Sequence, residues 1–496
     1  MSPVAHTTAG AVGGTEADGI FIFRGVPYGG PVSGPGRFRP PTPALPWDGV
    51  RPALQNGNAC PQKSGIGLNS LIKPLGPPAP QGEDCLVLNI FTPGLDDGRR
   101  PVMVWLHGGG LTVGAGSRAG YDGHQLARRG VVVVSINHRL GFLGWLYLAE
   151  LAGEEYADSG NAGTLDMIAA LEWVRDNIGA FGGDSGAVTI FGESGGGHKV
   201  STLLGSRRAE GLFHRAAIQS GPQLTAIEPA DATATARELM SRLNVSSADE
   251  LVQVPVKELV ATGFDLLGSP LQGKSAPCGP VLDGRIIQRH MFEPDAAPAS
   301  LDVPLLIGTC KDEMTLFNLG EAGLRASAER VFGDHTDQVA DVYRKCRPSA
   351  SDQQIYCAIA TDRFRVGSIR LAERRVAGSD APVYMFRFDY ESPLAGGTLG
   401  APHGIEVPFV FDNLKGEHNL GLHGDRPDAQ ELADQVSEAW VAFARTGDPA
   451  HPGLPPWPVY GAHRRGTMIF DSQCYVADDP DGAERAAWDD VTGYGM

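Results

Sequence analysis

The chain predicts an α/β fold: one large, mostly parallel sheet with helices on both faces and capping insertions. Three observations carry that expectation: short apolar runs, helical patterns between them, and glycine clusters where the runs end. The runs are VMVWL (102–106), VVVVSI (131–136), VTIF (188–191), AAIQS (216–220) and VPLLIG (303–308). A strand covered on both faces has no polar side, so it reads as continuous apolar and β-branched sequence without alternation.

Between the second and third runs, Leu165, Ile168, Leu171, Val174 and Ile178 recur at helical spacing, and the glycines after Phe181 stop the pattern. Strand, helix, strand is the repeating unit of a doubly wound sheet. A late helix over AQELADQVSEAWVAFART ends at Gly447, with Pro449 just beyond. The stretch 225–300 and much of 320–380 are more polar and less periodic. We expect them to be excursions that cap the active edge of a single catalytic domain spanning 1–496. The Pro/Gly-rich stretch 29–47 carries interleaved aromatics and reads as an ordered surface wrap, not a disordered linker.

Bulk properties exclude several classes. A formal charge of −17 over 496 residues argues against a nucleic-acid or anionic-membrane partner, since neither attracts an acidic protein. No stretch approaches the roughly 18 apolar residues of a spanning helix. The N-terminal segment lacks a basic region followed by an apolar core, so no signal peptide is expected. Seven cysteines, an odd count without a C-x-x-C, fit reduced thiols and a cytoplasmic location.

The chemistry centres on TIFGESGGG (189–197), a lone serine among four glycines directly after an apolar run. A serine hydroxyl is a poor nucleophile unless a base takes its proton and the backbone projects it. G-x-S-x-G supplies that projection by turning sharply from strand into helix, with Ser194 at the apex and small Gly192 and Gly196 at the bend. The N–H of Gly195 would point at a developing oxyanion. Upstream, VMVWLHGGGL puts Gly108 to Gly110 after an earlier strand, the kind of loop that completes an oxyanion hole.

One motif is a decoy. GSPLQGKS (268–275) satisfies the Walker A pattern, yet Pro277 and Pro280 sit where the required helix should run. Nucleotide binding is not expected, and nothing in the sequence calls for a metal or another cofactor.

The triad of such a fold follows in the order serine, acid, histidine. LLIGTCKDEMTLF offers both Asp312 and Glu313 after a strand, and the residues alone do not choose between them. LGAPHGIEVPFVF puts His403 in a turn-rich loop, whereas His198 lies on the nucleophile's own helix and should point away from the apex.

With these segments the chain resembles the type-B carboxylesterases, the α/β-hydrolases that include cholinesterases and bacterial p-nitrobenzyl esterases. The resemblance runs from FRGVPYG (23–29) and GEDCLVLNIFTP (82–93) through SINHRLGFLG, FGGDSGAVTIFGESGGG and GLFHRAAIQSG to PHGIEVPFVF. It implies Ser194 as nucleophile, Glu313 as acid and His403 as base, with Gly109, Gly110 and Gly195 as oxyanion donors. It also implies Glu193, Ser220 and Glu406 as buried polar support, and Arg139 with Asp184 as a structural ion pair.

Some positions depart from the family pattern. Gly195 replaces a usual alanine, which suggests an intact N–H on a looser backbone. Leu111 replaces a frequent aromatic and is expected in the wall of the substrate pocket. His138 stands for a tyrosine and Met167 for a common glutamine. Cys60 and Cys85 match a disulfide of secreted relatives, and are expected here as reduced thiols. The implied reaction is hydrolysis of small carboxylic esters through an acyl-enzyme. The alternatives are aryl carbamates or amides cleaved by the same triad, or a binding module without catalysis.

Overall fold

A computed structural model describes residues 2–63, 79–268, 277–317, 319–415, 421–424 and 426–491. Most of 268–275 therefore lies outside the described residues. The N-terminal strands β1 (Val4–His6) and β2 (Ala11–Gly13) pair with β5 (Val50–Pro52) in a small sheet. The large sheet begins with β3 (Thr15–Ala17), β4 (Ile20–Pro27) and β6 (Val87–Thr92), then β7 (Arg100–Leu106), β8 (Val132–Ile136) and β9 (Gly183–Glu193). It continues with β10 (Arg215–Gln219), β11 (Leu305–Cys310), β12 (Val383–Phe388), β13 (Gly466–Phe470) and β14 (Tyr475–Asp478).

Across the sheet the order is β14-β13-β12-β11-β10-β9-β7-β8-β6-β4-β3. From β8 to β13 the strands run parallel, and the antiparallel pairings are confined to the two margins. The five apolar runs became β7 to β11, because each feeds two cores at once. Along β7, Val102, Val104 and Leu106 face one core while Met103 and Trp105 face the other. The helix Ala162–Asn177 fills the first core with Leu165, Ile168, Leu171 and Val174. The helix Ala429–Thr446 fills the second with Leu432, Val436, Trp440 and Phe443, and Gly447 closes it in the left-handed conformation at φ 83°. Each large apolar side chain buried this way contributes about 1.5–3 kcal/mol.

The less periodic regions are helical too. They contain Pro229–Arg242, Ala248–Gln253 and Val256–Leu267, then Glu321–Phe332, Thr336–Cys346 and Asp352–Gly378. The wrap at 29–47 is ordered, with Phe38 fully buried. Its Arg37 forks onto Glu83 at 2.7 Å and donates to the carbonyls of Val252 and Val254, which ties the first capping region to the sheet.

One expected pair is wrong. Arg139 does not meet Asp184. It forms a bidentate contact with Asp166 at 2.6 and 2.8 Å, both side chains buried, while Asp184 lies near the surface and pairs with Arg99 at 3.0 Å. The helix bearing Asp166 packs beside the loop bearing Arg139, whereas Asp184 starts β9 at the far end of the sheet. Cys60 and Cys85 are free, buried thiols. Among the described residues no helix is long and apolar enough to cross a membrane.

Candidate active site

The parallel strands end together, and the candidate residues leave from those ends, where open α/β sheets hold their ligands. β9 stops at Glu193, and the helix Gly195–Gly205 starts two residues later. Ser194 sits between them at φ 56°, ψ −123°, a conformation a serine adopts only when its surroundings impose it. The flanking glycines make that turn possible. A Cβ on Gly192 would fall 2.6 Å from the backbone of Gly196 and of Leu106, and one on Gly196 would fall 2.0 Å from Leu106 O.

The glycine loop after β7 lies against this elbow. Gly109 and Gly110 hold φ 100° and 63°, and a Cβ on Gly109 would meet Val113 O at 2.4 Å. Gly195 opens the helix, so its N–H has no acceptor within that helix. The expectation of a looser backbone at this position is corrected. A Cβ on Gly195 would fall 1.9 Å from Gly110 O, so its absence is what lets the two segments touch.

β11 delivers the acid side. Glu313 is fully buried, accepts from the Cys310 N–H at 2.8 Å, and places Oε2 2.5 Å from His403 Nδ1. Its neighbour Asp312 turns elsewhere and accepts from the Ala401 N–H at 3.0 Å, bracing the loop that carries His403. The rings of Phe317 and Phe364 flank the imidazole at 5.5 and 5.2 Å. Its Nε2 edge faces the elbow, 3.0 Å from Glu193 Oε1, and has no well-aligned hydrogen-bond partner among the described residues.

Comparison with known proteins identifies the family of the chain. The model of the carboxylesterase family matches residues 1–488. The chain belongs to the carboxylesterase family. It is 35% identical to a para-nitrobenzyl esterase of Bacillus subtilis over 97% of each chain. It is 36% identical to a phenmedipham hydrolase of Pseudarthrobacter oxydans over 96% of this chain and 97% of that one. A crystal structure of a Geobacillus stearothermophilus carboxylesterase superposes with a TM-score of 0.86 at 39% identity, covering 98% of this chain and 99% of the other. The protein is thus a carboxylic ester hydrolase with the α/β-hydrolase fold.

The candidate site is dense in buried acids. Burial alone would depress the His403 imidazole, but the carboxylates of Glu193 and Glu313 outweigh it and raise its pKa to about 9. Burial pushes Glu193 up, with Glu406 and Glu313 adding to the rise and His403 opposing it. Glu406, also raised by burial, accepts from Gln219 Nε2 and from the Cys310 thiol, each at 3.0 Å. Ser220 is buried at φ 49°, and its Oγ has no partner among the described residues. Burial lowers His198 to about 4, so this imidazole stays neutral.

Sequence reasoning passed over Lys199. This lysine is fully buried in the elbow helix, and its Nζ donates to His107 O at 2.8 Å. The available signal was a single charged residue between a glycine run and the apolar end of a short helix. Among the described residues no group of three or more His, Cys, Asp or Glu side chains is arranged so that it could hold a metal ion.

Proposed function

We propose that this ester hydrolase works through Ser194, His403 and Glu313, with the amides of Gly109, Gly110 and Gly195 as its oxyanion hole. The observation that carries the reading is the buried Glu313–His403 contact, made by residues 90 positions apart, with the other imidazole nitrogen turned toward the elbow beside Glu193. In the reaction Nε2 exchanges its contact with Glu193 for the hydroxyl of Ser194, the next residue along the chain. It takes the hydroxyl proton as the serine oxygen attacks the ester carbonyl, and the three amides receive the negative charge on the carbonyl oxygen. The imidazolium then protonates the departing alcohol, and water repeats the sequence on the acyl-enzyme. Glu313 keeps the proton on Nδ1 and stabilises the charged imidazole.

Glu193, Ser220 and Glu406 serve as the polar bed beneath these three side chains. Leu111 is read as a wall of the substrate pocket, because the capping segment approaches it closely: a Cβ on Gly279 would fall 3.0 Å from its Cδ1. The chain is read as one catalytic unit, 1–496, whose excursions at 225–300 and 320–380 cap the active edge. Phe364, from the helix Asp352–Gly378, supports this by lying against His403.

Ser194→Ala tests the proposal. Turnover of p-nitrophenyl acetate should fall by about a thousandfold or more while the circular dichroism spectrum and melting temperature stay unchanged. Retained turnover in a folded variant removes Ser194 from the mechanism. A panel of matched ester, carbamate and amide probes would then rank the bonds this site cleaves.

A further inference from the structure

Three approaches join the elbow helix to the oxyanion loop and the strand end that feeds it. Two of them are bare backbone: Gly195 against Gly110, and Gly196 against Leu106 and His107. The third is the hydrogen bond from Lys199 Nζ to the carbonyl of His107, the residue directly before Gly108. Gly195 and Lys199 lie one helical turn apart on the same face, so the amine grips the root of the loop while the glycine receives its tip.

The setting of this amine is unusual. Lys199 is 0% exposed, and burial holds its pKa well below the ordinary lysine value. The groups facing it are also bases. His107 and His138 stack at 5.1 Å with their planes 13° apart, both are buried, and both are lowered by burial first and by Lys199 next. Arg118 in the loop beyond adds positive charge to these surroundings, while His198 on the same helix is a further neutral base. Each imidazole spends its Nδ1 locally, His107 on Gly108 O at 2.8 Å and His138 on Arg139 O at 2.7 Å. Burying an amine among bases costs free energy unless the contact it makes is worth keeping.

We infer that Lys199 is a positioning residue for ester hydrolysis: through the His107 carbonyl it fixes the oxyanion loop on the nucleophile helix. It acts on the amides of Gly109 and Gly110 and does not touch the substrate. The inference rests on the proposed role of those amides. A stabiliser of developing charge works only if its donors are already in place, and a displacement of about 1 Å can cost a hundredfold in rate.

The test is Lys199→Met, which keeps the length of the stem and removes the donor. For p-nitrophenyl acetate, kcat should fall by roughly tenfold to a hundredfold, with KM within about twofold. The affinity for an aryl boronic acid, which forms a tetrahedral adduct on the serine, should fall by the same factor as kcat. Lys199→Gln, with a donor on a shorter stem, should recover part of the loss. Unchanged kcat and boronate affinity in a folded methionine variant overturn the inference, as does a loss confined to KM. Should methionine not be accommodated, Lys199→Ala serves the same comparison. If neither variant folds, the side chain acts in folding alone and the inference is likewise overturned. A Ser194→Ala enzyme that remained active would instead remove the reading of the site on which this inference rests.

Discussion

Glu193 Oε1 and Glu313 Oε2 lie on opposite sides of the same imidazole, 3.0 Å from Nε2 and 2.5 Å from Nδ1 of His403. One carboxylate belongs to the elbow and the other to the loop after β11, so the histidine is held between the two halves of the site. The base form of His403 is the neutral imidazole. Because both carboxylates favour the charged form, the proton leaves above the ordinary histidine value.

The acid limb of kcat/KM should therefore lie above pH 6.5, with activity rising as His403 loses its proton. Glu193→Gln removes the largest of the raising charges and should move that limb to lower pH by about one to two units. A pH–rate profile of both enzymes from pH 5 to 10 checks this, and a limb that does not move contradicts it.

Gly195→Ala introduces a methyl group 1.9 Å from Gly110 O, a distance that backbone must relieve by moving. We expect kcat for p-nitrophenyl acetate to fall by about tenfold to a hundredfold, since the loop and the elbow are pushed apart. Steady-state kinetics decides the matter. A variant with undiminished kcat would show that the close approach has no catalytic use.

Asp166→Ala leaves the Arg139 guanidinium buried without its counter-charge. Breaking a buried pair from one side costs about 3–5 kcal/mol. Denaturant unfolding should show that loss. The surface pair Arg175–Asp176 is the control, and Asp176→Ala should change stability by less than about 1 kcal/mol.

Ser351 caps the helix Asp352–Gly378: its Oγ accepts from the Gln354 N–H, and the Gln354 side chain accepts from the Ser351 N–H. Ser351→Ala should lower stability by about 1 kcal/mol without altering kcat. A thermal melt alongside an activity assay separates the two effects.

Several features were legible because they are local. β7 to β11 are apolar on both faces, so their composition announces them whatever else the chain does. The elbow is legible for a steric reason: only glycine at 192 and 196 lets the backbone pass Leu106 O. The helix Asp352–Gly378 was not legible as a helix. It buries Asp362, Arg365 and Arg375 beside Ile355, Ile359 and Leu371, so its inward face does not read as an apolar stripe. Those charges are satisfied by an ion pair within the helix and by carbonyls of distant segments, which no periodicity reveals.

From its order of residues alone, this protein can be read as a covered parallel sheet, with a serine on a glycine elbow and a second glycine loop to meet it. Those features follow from sterics and solvent exclusion acting over a few residues. The tertiary structure decided that Glu313 and not Asp312 meets His403, that Arg139 pairs with Asp166, and that Lys199 reaches the root of the glycine loop. Each is a choice among chemically similar partners. Distance makes that choice, and distance between strand ends exists only once the sheet has formed.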